Sequence, residues 1–309
     1  FGLTGGDIAY VKAAADMVVR YAEQLPQGNQ ILHKYPKMVI GVGERECELL
    51  RKRFTEFKPH FETLQLFEAD DVARIEPAVM QGRKEPVVGM GVENEYTAVN
   101  FQALAKSFVE QAKQRPGKQI DIKLSCKVKR IHKNRDHYQL FTSQGLVEAR
   151  FVVISAGGHS LLFAQQMSYG MHYSCLPVAG SFYFTPRVLN GKVYTIQNDV
   201  LPFAAIHGDP DILVEGKTRF GPTALILPML ERYNLRTVPQ FLKVLRLDGK
   251  VLKVFWDLIK VSDIRNYIFR NFLFEVPFLR RWLFLQDARK IVPQMKLADL
   301  CYAKKVGGI

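Results

Sequence analysis

Apolar side chains recur at helical spacing in several stretches of the chain. They follow one face of residues 6–24, and they return every three or four positions in residues 47–57 and 101–112. This period predicts amphipathic helices, and Asn100 is placed to cap the third of them. After Pro239 the same period resumes, so we expect the chain to become helical again.

Elsewhere the apolar period shortens to the two residues that are typical of strands. Residues 37–43 are predicted to form one strand, and residues 120–154 a series of short strands that begins with residues 120–124. Within that series, residues 151–154 are continuously apolar and β-branched, like a strand buried on both faces. A second β-rich block covers residues 180–228. Helix and strand blocks thus alternate, which predicts an α/β chain passing between two domains.

The positive net charge of the chain indicates which kinds of partner it attracts. The net charge is +13 over 309 residues, and residues 241–309 hold 14 basic and 6 acidic residues. Such a field attracts anionic small molecules, lipid headgroups or nucleic acid. No nucleic-acid-binding motif accompanies it, so no nucleic-acid partner is predicted. No apolar run reaches the roughly 20 residues of a membrane-spanning helix, and no signal peptide is recognised.

The cysteines indicate neither a metal site nor a disulfide framework. Cys47, Cys126, Cys175 and Cys301 lie far apart, without the paired Cys or His spacing of zinc sites. We therefore predict no metal, and we expect reduced, partly buried thiols in a cytoplasmic protein.

One glycine turn imitates a dinucleotide-binding fingerprint. Gly41 and Gly43 follow a strand and precede a helix, but Glu46 stands where the fingerprint needs a third small residue. The carboxylates of Glu44 and Glu46 at this helix start would repel a pyrophosphate. A simple strand-to-helix turn is the expected structure.

A second glycine turn is the better candidate for contact with a cofactor. Ala156, Gly157 and Gly158 follow the apolar run of residues 151–154, at the strand end where α/β sheets bind ligands. Glycine lets a ligand approach the backbone closely. The alternative is an ordinary turn with no ligand.

His207 is the residue predicted to act as a base. Asp209 lies two residues further on, so on a strand both side chains would face the same side. A carboxylate beside an imidazole fixes its tautomer and raises its basicity, which suits removal of a hydroxyl proton. Gly208 and Pro210 flank Asp209, so a turn-forming role for Asp209 and a structural role for His207 stay open.

Cations close to His207 in sequence are candidates for holding a carboxylate substrate. Lys217 and Arg219 are two residues apart on a predicted strand and would share a face. Arginine holds a carboxylate through two parallel hydrogen bonds. An ordinary surface position remains the alternative for each.

Residues 264–286 mix aromatic side chains with arginines. Cationic, aromatic helices lie in membrane interfaces. The competing interpretation is a pair of core-facing helices that is broken at Pro277.

Several of these segments together resemble the FAD-dependent malate:quinone oxidoreductases, within the glycine-oxidase-like class of flavoproteins. The similarity is greatest to a shorter branch of that family and covers nearly the whole chain. The matching motifs are Gln81-Gly82-Arg83, Ala156-Gly157-Gly158, Pro177-Val178-Ala179-Gly180-Ser181-Phe182, His207-Gly208-Asp209, Gly216-Lys217 and Phe220-Gly221-Pro222.

The resemblance implies an α/β fold with an α+β substrate domain inserted into a discontinuous, Rossmann-like FAD-binding domain, of the glutathione-reductase-2 and glycine-oxidase type. The implied segments are residues 1–36 (a helix of the FAD domain), 37–92 (substrate domain, first part), 93–168 (FAD domain), 169–290 (substrate domain, second part) and 291–309 (a truncated return to the FAD domain).

The resemblance also implies oxidation of (S)-malate to oxaloacetate, with electrons passing through FAD to a membrane quinone in the tricarboxylic acid cycle. FAD would contact the backbone of Val128 and the turn Ala156–Gly158. His207 with Asp209 would take the proton, and Lys217, Arg219 and Arg83 would anchor carboxylates. The implied location is peripheral, on the cytoplasmic side of the bacterial inner membrane.

Two other functions stay open at this point. One is a related FAD-dependent 2-hydroxyacid dehydrogenase of the L-2-hydroxyglutarate type, since one carbon of substrate length is not readable from the sequence. The other is a non-catalytic, basic module that associates with membranes.

The ends of the chain suggest a fragment. It begins at Phe1 without Met and stops at Ile309. The resemblance implies an N-terminal strand-glycine-helix unit and a C-terminal strand and helix beyond these ends. We expect the segment alone neither to hold FAD nor to turn over.

Overall fold

The computed structural model describes residues 5–196, 206–223, 225–262, 265–266, 269 and 279–304. The described residues fall into two compact units. The first is drawn from residues 1–116, 181–223 and 270–306, and the second from residues 117–180 and 224–269. Which segments belong to an FAD domain and which to a substrate domain stays a prediction.

The helices in the described residues agree closely with the apolar periods of the sequence. They are α1 (Gly5–Glu23), α2 (Gly28–Ile31), α3 (Glu44–Phe57), α4 (Ala69–Ile75), α5 (Pro77–Met80), α6 (Phe101–Lys113), α7 (His159–Gln166), α8 (Val238–Leu245), α9 (Gly249–Lys260) and α10 (Leu279–Arg289).

The strands are short, and most lie in the two predicted β-rich blocks. They are β1 (Leu32–Lys34), β2 (Lys37–Val42), β3 (Gln65–Phe67), β4 (Val87–Val92), β5 (Tyr96–Val99), β6 (Val128–Asn134), β7 (His137–Thr142), β8 (Gly145–Ala149), β9 (Val178–Ala179), β10 (Tyr183–Pro186), β11 (Lys192–Thr195), β12 (His207–Pro210), β13 (Lys217–Gly221), β14 (Leu225–Ile226) and β15 (Cys301–Tyr302).

Local signals set the predicted helix starts. Asn100 caps α6, and its side-chain oxygen accepts from the Ala103 backbone N–H at 3.1 Å. Gly43 precedes α3 with φ +83°, a conformation that favours glycine. A Cβ on Gly41 would come within 2.7 Å of the carbonyl oxygen of Glu46, because strand and helix pack closely there. This is the strand-to-helix turn that the sequence predicted.

An eight-stranded sheet organises the first unit. Its strand order is β15-β10-β13-β12-β11-β2-β4-β3, and only the β11–β2 pair is parallel. Because side chains alternate along a strand, every second residue faces the core. Met38, Val193 and Phe220 are fully buried in this way. They pack in one cluster with α4 and α10 residues such as Ile75 and Phe284.

The other face of this sheet carries the polar residues of the same strands. Lys37, Lys192, Tyr194, Asp209 and Arg219 occupy the alternate positions of β2, β11, β12 and β13. One face therefore packs in the hydrophobic core, and the opposite face carries the charged and polar side chains.

The second unit is built from smaller elements. Strands β6, β7 and β8 form an antiparallel sheet, and β9 pairs with β14. Leu162 of α7 packs with Phe241 and Val244 of α8 in a separate hydrophobic cluster. Val251 and Phe255 of α9 contact this cluster from its edge.

Two predicted strands are wrong. Residues 120–124 have no strand structure, and β8 ends at Ala149, so residues 151–154 are not a strand either. Phe151 and Val153 are 80% and 76% exposed rather than buried. A strand needs a hydrogen-bonding neighbour, and the described residues provide none for these runs. The apolar run that precedes His207, residues 203–205, lies outside the described residues.

Candidate active site

Three neighbouring strands bring the predicted base and one predicted cation together. In the β-sheet register Tyr194 of β11 is the partner of His207 on β12, and Asp209 of β12 is the partner of Arg219 on β13. Cross-strand partners project from the same face and their side chains touch. We call His207, Asp209, Asp211 and Arg219, with Tyr194, the His207 cluster.

Asp209 is the centre of this cluster. Its Oδ2 accepts a hydrogen bond from Arg219 Nη2 at 3.1 Å, and its Oδ1 lies 3.4 Å from His207 Nε2. The Asp209 side chain is only 5% exposed, and that of His207 is 15% exposed. A buried carboxylate needs such partners, because burying an uncompensated charge is costly. Asp209 therefore links the imidazole to the guanidinium.

Asp211 holds the second amino group of the same guanidinium. Its Oδ2 lies 3.5 Å from Arg219 Nη1. Its Oδ1 accepts from the backbone N–H groups of Leu213 and Val214, both at 2.8 Å. The Arg219 guanidinium also lies over the Phe182 ring at 5.1 Å. The cation is thus fixed in orientation before any substrate binds.

The His207 imidazole is packed between aromatic rings. It stacks on Tyr194 with 4.5 Å between the ring centroids, and the Phe182 ring approaches edge-on at 6.4 Å. Burial and then the Asp209 charge raise the pKa of Tyr194 to about 12, against the opposing effect of Arg219. Tyr194 therefore stays a neutral phenol at physiological pH and adds no charge to the cluster.

Two lysines on the same face were missed by the sequence reasoning. Lys37 and Lys192 are register partners on β2 and β11, and burial lowers the pKa of each. Lys37 Nζ lies 5.6 Å from the centroid of the Tyr194 ring. The alternation Lys192-Val193-Tyr194-Thr195 was the available signal, since it marks a strand with polar residues on one face.

The other predicted anion ligands are less closely placed. Lys217 begins β13 on the face of Arg219, but it is exposed and pairs with Pro186 at the end of β10. Arg83 does not join the His207 cluster. Its guanidinium donates to the backbone carbonyls of Val79, Lys290 and Ile291 at 2.8–3.1 Å, which uses it to tie elements together.

The predicted cofactor turn has the open backbone that a nucleotide ligand requires. Gly157 has φ +55°, and a Cβ there would meet no atom within 4 Å. The turn leads into α7, with Ala156 N–H bound to the Ser160 hydroxyl at 2.9 Å. Val128 begins β6, at an irregularity in its pairing with β7. Both features lie in the second unit. The backbone of Gly157 leaves room for a ligand, but the strand predicted to lead into this turn is absent from the described residues, so FAD contact stays a prediction.

Comparison with known proteins decides the family. The family model described as malate:quinone oxidoreductase (Mqo) matches residues 15–232. The chain belongs to the malate:quinone oxidoreductase family. A probable malate:quinone oxidoreductase of Campylobacter jejuni is 44% identical, with 97% of this chain and 69% of the relative covered. The malate:quinone oxidoreductase of Helicobacter pylori is 42% identical, with 97% and 68% covered.

Solved structures show the same fold. Glycine oxidase from Bacillus cereus matches with a TM-score of 0.58 at 15% identity, over 79% of this chain and 63% of that chain. L-alpha-glycerophosphate oxidase from Mycoplasma pneumoniae, solved with FAD bound, matches with a TM-score of 0.55 at 11% identity, over 94% and 67%. The predicted glycine-oxidase-like α/β fold is confirmed.

Membership of this family confirms the predictions that concern the family as a whole. Malate oxidation with a quinone acceptor and FAD as cofactor characterises this family, so the predicted family, function, enzyme class and cofactor are confirmed at family level. The roles of individual site residues and contact with a membrane surface stay predictions.

Among the described residues, no group of three or more His, Cys, Asp or Glu side chains is arranged to hold a metal ion. No helix in the described ranges is both long and apolar enough to cross a bilayer.

Proposed function

We propose that this protein oxidises the hydroxyl carbon of (S)-malate to the ketone of oxaloacetate and passes the electrons to a membrane quinone. The observation that supports this proposal most directly is the His207 cluster, which combines an imidazole, a bridging carboxylate and a fixed guanidinium on one sheet face. FAD, when bound, would supply the acceptor for the hydride of C2. The chain itself holds the substrate and takes the hydroxyl proton.

His207 is the proposed base. Asp209 Oδ1 lies beside Nε2, which favours the imidazole tautomer with its proton on that nitrogen. The imidazole then accepts the malate hydroxyl proton as the C2–H bond breaks. The positive charge that forms on the ring is stabilised by the Asp209 carboxylate. Tyr194 and Phe182 hold the ring in place.

Arg219 is the proposed ligand for a malate carboxylate, with Lys217 as an additional cation at the rim. Asp209 and Asp211 each contact one terminal nitrogen of the guanidinium, which leaves a second N–H on each, and the side chain is 31% exposed. Donors therefore remain for a substrate oxygen. Because its orientation is already fixed, Arg219 loses little conformational entropy on binding.

The charge of this face suits a dicarboxylate. Lys37, Lys192, Lys217 and Arg219 oppose the carboxylates of Asp209 and Asp211, which leaves a net charge of +2 with His207 neutral. Malate carries two negative charges at neutral pH. The arrangement thus favours a doubly charged acid over a singly charged one. The proposed cofactor contacts are Val128 and Ala156, Gly157 and Gly158.

Membrane contact is proposed for α9, on the cytoplasmic side of the bacterial inner membrane. This helix exposes Trp256, Leu252 and Val254 to solvent, at 58–61%. Lys253 and Lys260 lie on the same helix, and Lys260 Nζ is 5.6 Å from the Trp256 ring. Apolar and cationic side chains on one helix suit an anionic lipid surface. The predicted segment 264–286 lies partly outside the described residues.

The test is an anaerobic visible-light titration of the FAD-loaded intact gene product. Bleaching of the flavin band by (S)-malate, but not by L-2-hydroxyglutarate, is the expected result. Bleaching by L-2-hydroxyglutarate alone would overturn the choice of substrate. Absence of any bound flavin in the intact gene product would instead favour the non-catalytic membrane module.

A further inference from the structure

Two lysines lie side by side on the sheet face that carries the His207 cluster. Lys37 and Lys192 are register partners on the parallel strands β2 and β11. Their neighbours Met38 and Val193 are fully buried on the opposite face. Parallel neighbours are about 4.8 Å apart, so the two side chains leave the sheet next to each other.

Two ammonium groups that are largely buried side by side are unfavourable unless an anion binds between them. Burial, and for Lys37 the charge of Lys192, lowers the pKa of the ammonium group, which shows that the protonated forms are destabilised. Like charges that face each other across strands repel. Within the described residues, neither ammonium makes an ion pair or a hydrogen bond. The oxygens of Asp209, the nearest interacting carboxylate, already contact His207 and Arg219.

Strand β12 separates the pair from Arg219, and the register places Asp209 of that strand between Arg219 and Lys192. The sheet order places β13 with Arg219, then β12 with His207, then β11 with Lys192, then β2 with Lys37. At about 4.8 Å per strand, the backbones that carry Arg219 and the two lysines are roughly 10–14 Å apart. An extended four-carbon diacid that accepts a charge-assisted hydrogen bond of about 2.8 Å at each carboxylate joins donors at a comparable separation, and the long Lys and Arg side chains provide the adjustment.

We infer that Lys37 and Lys192 together bind the substrate carboxylate that is remote from the reacting carbon. They thereby select dicarboxylic over monocarboxylic 2-hydroxyacids. The inference deepens the proposed function and rests on it, with Arg219 holding the carboxylate next to the hydroxyl. An anion between the two ammonium groups offsets both their mutual repulsion and the desolvation cost of burying them.

The test compares Lys37→Met, Lys192→Met and the double variant with the unaltered protein, all as the FAD-loaded intact gene product. Succinate and butyrate serve as binding probes, because both have four carbons and differ in one carboxylate. We expect the unaltered protein to bind succinate at least about 100-fold more tightly than butyrate. The double variant should reduce this ratio to a few fold, because both cations are gone.

A matched control separates this effect from a change in overall charge. Lys106→Met removes one positive charge from the exposed face of α6 and should keep the succinate preference. The Arg variants of Lys37 and Lys192 should restore part of it, since the charge is kept. Flavin absorbance of each variant reports whether it is folded and loaded.

Turnover gives the second measurement. In the double variant, kcat/KM for malate should fall at least about 100-fold, and kcat/KM for 2-hydroxybutyrate should change less than about threefold. Retention of the succinate preference by the double variant would overturn the inference. Failure of malate to bleach the flavin of the unaltered protein would instead overturn the proposed function, so the two failures are distinguishable.

Discussion

Asp209 and Arg219 face each other across β12 and β13, with Asp209 Oδ2 3.1 Å from Arg219 Nη2. The other oxygen of the same carboxylate lies 3.4 Å from His207 Nε2. A single buried carboxylate thus orients both the proposed base and the proposed substrate ligand. Disturbing it should alter proton transfer and binding together.

Asp209→Asn should lower kcat by about 10–100-fold and change its pH dependence. The amide keeps the shape of the carboxylate but removes the charge that stabilises protonated His207. The imidazole becomes less basic, so the acid limb of the kcat profile should move to lower pH. Steady-state rates from pH 5 to 9 measure this. Asp121→Asn, an exposed control, should not move the limb, and an unshifted limb in Asp209→Asn would contradict the positioning role.

Tyr194→Phe and Tyr194→Ala should differ because only one of them keeps the ring. The pKa of Tyr194 is raised to about 12, so the phenol does not ionise below about pH 11. Tyr194→Phe should therefore leave the pH profile between 6 and 9 unchanged. Tyr194→Ala should lower kcat by about 2–10-fold, because stacking on His207 is worth about 0.5–1.5 kcal/mol. Equal losses in both variants would point to the hydroxyl group instead.

Glu76 offers a prediction about stability that is independent of catalysis. It is fully buried, accepts from the backbone N–H of Asn190 at 2.9 Å and of Gly191, and burial raises its pKa to about 7. Because the pKa of Glu76 is raised in the folded state, the protonated side chain stabilises the fold fully below the unfolded pKa, near 4.5. This stabilisation is lost as the pH rises through about 7.

The protein should therefore lose about 3 kcal/mol of stability relative to Glu76→Gln between pH 4.5 and pH 8. The glutamine cannot ionise, so its own stability lacks this dependence. Denaturant unfolding of both proteins across that range measures the difference. A constant difference between them would show that Glu76 ionises as freely in the folded state as in the unfolded chain.

Trp256→Ala should weaken binding to anionic vesicles by about tenfold. The side chain is 61% exposed on α9, and losing roughly 60 Å² of apolar burial costs about 1.5 kcal/mol. Vesicle flotation with phosphatidylglycerol measures the partition. Phe101→Ala is the matched control, since Phe101 is similarly exposed on α6 and lies outside both segments considered for membrane contact. Equal losses in both variants would argue against α9 as the contact surface.

The sequence predicted the main helices and strands and four side chains of the candidate site. The helical period located α1, α3 and α6, and the two-residue alternation placed His207 with Asp209 and Lys217 with Arg219 on common faces. These features depend on residues that are close in sequence, where side-chain period and capping decide the structure.

What the sequence did not reveal depends on strand register. Tyr194 meets His207, and Lys192 meets Lys37, only because β11 lies between β12 and β2. Register between distant strands is set by packing of the whole sheet, which no single segment encodes. The same reason explains residues 151–154, whose apolar pattern predicts a strand although no described neighbour pairs with them.

The most direct test of the account is the rate of flavin reduction by (S)-malate in His207→Gln, followed by anaerobic stopped flow. The glutamine is a polar side chain of similar size that cannot take the hydroxyl proton. We predict a rate at least about 100-fold below that of the unaltered protein, with succinate affinity and flavin content retained. Flavin reduction within about threefold of the unaltered rate would contradict proton removal by His207.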